Sequence, residues 1–189
     1  KKVWWVAQTT GKWNLIYSIY VKDIKEFYNT VSDFNNEFGE YILNQSLASH
    51  VEVEVFSRGY FLKKPAKGVT WYNKFEKIEI NKTDQKILKY LATDSRMSSV
   101  ELARKTNLTP RVVSYRIKDL MKKQIITKFR LALDVSKFGY GFYKVIIHLK
   151  NISRSNNTKL KEYCKNLGNI FHYEKKIGPW MLELEMDEK

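Results

Sequence analysis

Residues 98–120, SSVELARKTNLTPRVVSYRIKDL, constrain the fold more than any other stretch of this chain. They read as two short helices joined by a tight turn, each with its own start signal. Ser98 with Glu101 three residues on is a capping box. Thr109 followed by Pro110 is an N-cap with proline at the first helical position, where a missing N–H leaves no bond unmade. At about 100° per residue, Val113, Ile117 and Leu120 fall within roughly 60° of one another. That stripe can pack on Val100, Leu102, Ala103 and Leu108. Arg111, Ser114, Tyr115, Lys118 and Lys122 project to the opposite side with no carboxylate among them, and Asp119 lies to one flank. A helix-turn-helix presents its second helix to the DNA major groove. A solvated basic face is the bland alternative, and the two capped starts at this spacing weigh against it.

The charge distribution supports the same segment. The net charge is +14. Residues 1–60 contribute −1, residues 61–80 +3, residues 81–134 +8 and residues 135–189 +4. More than half of the excess therefore sits on the helix-turn-helix segment. An AT-rich genome, which makes sequences Lys- and Asn-rich, would raise the total without concentrating it, whereas a polyanion-binding surface concentrates it. No apolar run approaches the ~20 residues of a membrane helix, so no membrane partner is expected. Cys164 is the only cysteine, which excludes an internal disulfide and fits a reducing cytoplasm.

Residues 81–139 read as one domain. Asn81 caps a first helix with Asp84 in its first turn and Ile87, Leu88 and Leu91 on its apolar face. After the two helices, QIITKFRLALD alternates as a strand, with Ile126, Phe129 and Leu131 as candidate buried groups. Three helices and a strand are the parts of a winged helix-turn-helix. Lys128 and Arg130 on that strand are placed to meet phosphates or solvent.

The flanks resemble each other. Residues 3–21 align without gaps to residues 170–188, and Gly11, Trp13 and Leu15 match Gly178, Trp180 and Leu182. Only three of the 19 positions are identical, but the apolar alternation matches as well: Trp13, Leu15, Tyr17 and Ile19 against Trp180, Leu182, Leu184 and Met186. Each copy reads as a strand, a turn at the glycine and a second strand. A helix over residues 23–38 follows the first hairpin, with Asp23 and Glu26 as a capping box and Gly39 as its stop. A strand near HVEVEVFSRGYF comes next. The strand GFYKVIIHLK and a helix over residues 157–167, ended by Gly168, precede the second hairpin. Overlaid, the copies spell βαββαβ, the ferredoxin-like order. The expected fold class is α+β, a winged helix-turn-helix flanked by two partial ferredoxin-like modules. The expected domains are residues 1–62 (the latter part of a first module), a linker over 63–80, the winged unit over 81–139, and residues 140–189 (the first part of a second module). In the linker, WYNKFEKIEI reads as a strand packing on the helix-turn-helix. A chain that begins at Lys1 and inside one module, and ends inside another, is expected to be a piece of a longer protein.

Residues 81–140 resemble the leucine-responsive regulatory protein/AsnC family of feast/famine regulators. The residues that carry the resemblance are Asp84, Ile87-Leu88, Arg96, Glu101-Leu102-Ala103, Thr109 and Arg116-Ile117-Lys118-Asp119-Leu120. The family follows this unit with a βαββαβ domain for dimerisation and effector binding. Its G-x-aromatic-Asp turn is matched at Gly11-Lys12-Trp13-Asn14 and Gly178-Pro179-Trp180-Met181. The alternating order of modules implies a tandem-duplicated, archaeal type. Two departures stand out. Asn14 and Met181 replace the turn's aspartate, which weakens the case for an amino-acid effector. Gln124 stands where the family often has glycine.

The resemblance and the helix geometry give these expectations. The helix from Thr109 enters the major groove. Arg111 makes a bidentate contact to guanine, and Ser114, Tyr115 and Lys118 meet base edges or phosphates. Ser98 and Thr109 place helix N-termini at phosphates, and Lys122, Lys128 and Arg130 add cations. Arg116 forms an internal salt bridge or a phosphate contact, and Arg96 pairs with Asp84. The partners expected are double-stranded DNA, a second copy as homodimer or higher oligomer, and a small effector at the turns of Gly11, Trp13, Asn14, Gly178 and Trp180. No cofactor or metal is expected. His50, His148 and His172 lie far apart, with no zinc spacing, phosphate-cradling loop or nucleophile motif. His148 alternates with Lys144 and Lys150, which reads as an exposed edge. Two alternatives remain: a sirohaem-decarboxylase-like enzyme of the same fold, which needs His and basic groups gathered in the ferredoxin-like part, and a sequence-neutral architectural DNA binder.

Overall fold

The computed structural model describes residues 3–62, 68–72, 78–151 and 153–189. It divides into two units, Lys1–Leu47 and Ala48–Lys189. The first holds the hairpin of β1 (Val3–Gln8) and β2 (Leu15–Ile19), then helix α1 (Ile24–Phe38). Gly11 takes φ 114° in the turn, a conformation that favours glycine. The Thr9 N–H closes the hairpin by donating to the Asn14 carbonyl at 2.9 Å. Asp23 caps α1 by accepting from the Glu26 N–H, and the Glu26 carboxylate accepts from the Lys22 N–H. Gly39 does not stop α1 in a left-handed turn. Its φ is −59° and the chain passes into a 3₁₀ turn, Gly39–Tyr41.

The second unit contains a five-stranded antiparallel sheet and the helix-turn-helix. Its strands are β3 (Ser49–Phe56), β4 (Gly68–Tyr72), β5 (Gly141–Ile147), β6 (Ile170–Ile177) and β7 (Leu182–Glu188), in the order β4-β3-β6-β7-β5. Helix α5 (Arg154–Leu167) connects β5 to β6. It is capped by Ser153 and ended by Gly168 at φ 78°. The run β5-α5-β6-β7 is the βαββ part expected of the second module. Strand β3, expected to belong to the first hairpin's module, pairs instead with β6, Val55 opposite His172. Trp71 and Tyr72 also depart from expectation. They lie in β4, which pairs with β3, and not in a strand on the helix-turn-helix; residues 73–77 of that stretch lie outside the described residues. One face of the sheet packs under α5 through Phe56, Cys164, Ile170, Tyr173, Leu182 and Leu184. The buried Tyr173 hydroxyl donates to Asn157 Oδ1 at 2.8 Å.

Helices α2 (Lys82–Thr93), α3 (Ser99–Thr106) and α4 (Pro110–Lys122) form the helix-turn-helix around Ile87, Leu91, Leu102, Ala103 and Val113. Leu108, Ile117 and Ile126 complete this core, while Val100 is 48% exposed and stays out of it. Helix α4 ends in a Schellman turn. Gln124, at φ 57°, donates its N–H to the Met121 carbonyl, and the Ile125 N–H returns to Leu120. That turn folds Ile126 back onto the core and leaves residues 127–134 running on with no ladder partner among the described residues. The expected wing strand is therefore absent there as a regular strand. Phe129 and Leu131 are 43% and 66% exposed, not buried.

Candidate nucleic-acid interface

Both capped starts form. The Ser98 hydroxyl accepts from the Glu101 N–H while the Glu101 carboxylate takes the Ser98 N–H and hydroxyl. The two hydrogen bonds from Ser98 hold the Glu101 carboxyl below its usual pKa. Thr109 Oγ1 accepts from the Val112 N–H at 3.3 Å, with Pro110 at the first position. Val113 and Leu120 are buried and Ile117 packs beside them, so the apolar stripe faces inward. Arg111, Tyr115, Lys118 and Lys122 are exposed on the other side, and Ser114 is half-buried. Asp119 is drawn off that face by Lys123, 2.6 Å away. The outward surface of α4 thus carries cations, a hydroxyl and a phenol with no carboxylate among them.

Arg116 Nη1 donates to Asp84 Oδ1 at 2.9 Å, tying α4 to the first turn of α2. This corrects the expected Arg96–Asp84 pair. Arg96 lies past the C-terminal end of α2, and residues 84–93 of that helix alone span about 14 Å; its N–H donates to Asp94 instead. Lys128 is exposed. Arg130 is exposed as well, yet desolvation and then the charge of Arg58 lower its pKa, and Glu185 opposes them. Its electrostatic neighbours are therefore Arg58, just past the end of β3, and Glu185 on β7.

At the second hairpin's turn, Gly178 has φ 151° and the Lys176 N–H closes on the Met181 carbonyl at 3.0 Å. These are the aligned positions of the Thr9–Asn14 bond. Trp180 is buried and donates Nε1 to Glu183 at 2.7 Å. Trp13, its counterpart, is half-buried, with the Lys12 ammonium 5.1 Å from its ring. Asn14 is exposed.

The sheet face away from α5 holds a site the sequence reading passed over. Lys144, read as exposed, is sealed among carboxylates, 2.9 Å from both Glu183 and Glu185. Burial works against its charge, but Glu185, Glu174 and Glu183 outweigh it and raise the pKa above the lysine norm. His148 is exposed, as expected. His172 lies between Glu174 and Glu185. Burial lowers its pKa, and the two carboxylates more than reverse this. His50 moves the other way, lowered by burial and then by Lys176, whose Nζ is 2.9 Å from Nε2. Asp187, fully buried, accepts from Arg58 Nε at 2.5 Å and the Tyr60 hydroxyl at 2.7 Å. One signal was available. On β7, Glu183, Glu185 and Asp187 alternate with Leu182, Leu184 and Met186, and on β6 His172, Glu174 and Lys176 fall on one side.

Comparison with known proteins bears on the helical part most directly. Residues 80–127 match a family of winged helix-turn-helix DNA-binding domains. A helix-turn-helix transcriptional regulator of Pyrococcus furiosus is 30% identical over 106 residues, covering 56% of this chain and 68% of that protein. The transcriptional regulator LrpC of Bacillus subtilis is 29% identical over 93 residues, 49% of this chain and 63% of LrpC. Its solved structure gives a TM-score of 0.50 at 28% identity, covering 58% of this chain and 77% of that one. The crystal structure of PH0061, a Pyrococcus horikoshii protein, gives 0.52 at 27% identity, covering 59% and 74%. The chain spans 66%, 40% and 47% of the first three curated relatives it matches.

Proposed function

The chain belongs to the family of helix-turn-helix transcriptional regulators, and we propose that it is a sequence-specific binder of double-stranded DNA of the Lrp/AsnC type. The observation that carries this reading is the outward face of α4. Arg111, Tyr115, Lys118 and Lys122 stand exposed, free of carboxylates, on a helix whose apolar stripe is locked inside. Arg111 is the base-reading residue and Ser114, Tyr115 and Lys118 flank it. Lys122 and Lys128 meet phosphates, and the N-termini at Ser98 and Thr109 hold backbone oxygens. Arg116 acts inside the protein, through Asp84. One such unit reads a half-site. Two copies related by a two-fold axis place recognition helices about 34 Å apart, and the sheet modules supply the pairing. A protein of the same fold from Neisseria meningitidis has been solved with L-Met; the turns at Gly11–Asn14 and Gly178–Met181 are the places to look for an effector here.

The enzyme alternative requires free histidines and cations in the ferredoxin-like part. The structure gathers His172, Lys144, Lys176 and Arg58 there, but places a carboxylate beside each, which leaves them poorly suited to a polycarboxylate substrate. The deciding experiment is selection of bound sequences from random duplex DNA, followed by competition between selected and random duplexes at one salt concentration. A palindrome with half-sites about one helical turn apart supports the proposal. Equal affinity for both duplexes refutes it in favour of a sequence-neutral binder.

A further inference from the structure

The sheet face away from α5 carries three donor groups in one place. His172 and Glu174 are two residues apart on β6, so their side chains leave the same face. Glu185 on β7 is the cross-strand partner of His172. His172 Nδ1 lies 2.7 Å from Glu185 Oε2 and 3.4 Å from Glu174 Oε1. Donor atoms of all three fall within 4.8 Å of one another. The residues are 9%, 3% and 8% exposed for His172, Glu174 and Glu185. Nε2 of His172 is closed off from solvent and has no hydrogen-bond partner among the described residues, while Nδ1 faces the two carboxylates at ion-pair distance.

The neighbouring lysines do not fill this gap. Lys144 takes Glu185 Oε1 and Lys176 takes Glu174 Oε2, at 2.9 and 3.0 Å. Each carboxylate is left with one oxygen turned toward His172. Nor does the hairpin need the triad in order to form. The aligned hairpin β1–β2 closes with the same backbone bond and carries Trp5, Ala7 and Ser18 at these three positions.

We propose that His172, Glu174 and Glu185 form a binding site for one divalent transition-metal ion of the zinc class. One imidazole nitrogen and two carboxylate oxygens form a donor set that zinc accepts at about 2.0–2.2 Å. Donors around such an ion stand about 3.0–3.5 Å apart; the two separations from His172, 2.7 and 3.4 Å, lie near that range, in a set that falls within 4.8 Å overall. Calcium seeks six or more oxygens and magnesium a near-ideal oxygen octahedron, which this donor set does not supply. The ion takes the position that a proton on His172 Nδ1 holds between the same carboxylates, and that proton leaves to solvent. Lys144 and Lys176 become the outer partners that hold the second oxygen of each ligating carboxylate.

The test is titration of the full chain with Zn²⁺ alone at neutral pH, followed by calorimetry and by competition with a chromophoric chelator. One Zn²⁺ per chain is expected. His172→Gln and Glu185→Gln are expected to weaken it by more than about 100-fold, beyond the 10–100-fold typical of losing a ligand's outer partner. His148→Gln, an exposed position outside the triad, is expected to leave binding intact. If the buried variants fail to fold, the His172 ring-nitrogen signals of the parent chain carry the test: they should shift in step with one Zn²⁺ per chain, and an unmoved His172 would overturn the proposal. Absence of stoichiometric binding, loss of binding in His148→Gln, or unchanged affinity in folded His172→Gln would each overturn the proposal.

Discussion

The Asp84–Arg116 pair offers the sharpest quantitative test of how the recognition helix is held. The Asp84 side chain is 10% exposed and that of Arg116 is 30% exposed. Breaking a fully buried pair by removing one partner costs about 3–5 kcal/mol, and an exposed pair is worth about 0–1 kcal/mol. Arg116 is open enough to regain water on one side, so Asp84→Ala belongs between these limits. Asp84 also sits in the first turn of α2, where a carboxylate gains about 0.3–1 kcal/mol from the helix dipole. Together these give a loss of about 2 kcal/mol, or roughly 4–8 °C in melting temperature for a chain of this size. Denaturant unfolding of Asp84→Ala, Arg116→Ala and the double variant isolates the pair, with a coupling of about 1–2 kcal/mol expected. Arg96→Ala, outside the pair, should stay within about 0.5 kcal/mol of the parent. A coupling below about 0.5 kcal/mol, or a larger loss from Arg96→Ala than from Arg116→Ala, would show that the strut does not hold the helix.

Gln124→Gly should stabilise the chain by about 0.5–1 kcal/mol, because φ 57° strains an L-residue by about 1–2 kcal/mol and glycine returns part of that as lost entropy; destabilisation in denaturant melts would count against the strain. Ser98→Ala should cost about 1 kcal/mol through the lost cap. Since the Glu101 carboxyl is held below its usual pKa by Ser98, its contribution is full above the unfolded value near 4.3 and fades as pH falls through the depressed one. Protection factors for amide exchange at the start of α3 should therefore fall below about pH 4, and protection that stays constant there would argue against the box. Arg111→Ala should relax preference at one or two base positions, whereas Lys122→Ala should weaken all duplexes alike and lower the salt slope by about one. Unchanged affinity and preference in Arg111→Ala would remove α4 from the groove.

The helix-turn-helix was legible because its signals are local. Ser98 acts on Glu101 and Thr109 on Val112, each partner three residues on, and the stripe of Val113, Ile117 and Leu120 lies on one helix. Gln124 was legible only as an oddity, a non-glycine where the family favours glycine; its left-handed backbone supplies the reason. The misreadings involve partners far apart in the chain. Period-two alternation in residues 124–134 says that a strand would have two faces, but not whether a neighbour exists to pair with it. Asp84 had two arginines to choose from, and only the packing of α4 against α2 selects Arg116. Lys144 looked solvent-facing because its carboxylate partners are about 40 residues further on, on β7, which becomes its neighbour through the sheet order.

The two aligned hairpins show what the sheet adds to a repeat. Both close with the same bond, Thr9 to Asn14 and Lys176 to Met181. Strands β6 and β7 are flanked by β3 and β5, which cover both edges, and most of their residues are buried. Strands β1 and β2 have no further strand in their sheet among the described residues, and Val3, Trp4, Val6 and Leu15 are each at least half exposed. A two-stranded ribbon is marginal by itself, so the first hairpin relies on aromatic packing, such as Tyr17 on Phe34. The second acquires flanking strands and with them a low-dielectric face. Only in such a face do Glu183, Glu185 and Asp187 become strongly coupled to Lys144, His172 and Arg58. At the aligned positions of β2 stand Ile16, Ser18 and Tyr20. Carboxylates there would meet neither an opposing cation nor a covering strand among the described residues, whereas β6 and β7 supply both to the second copy.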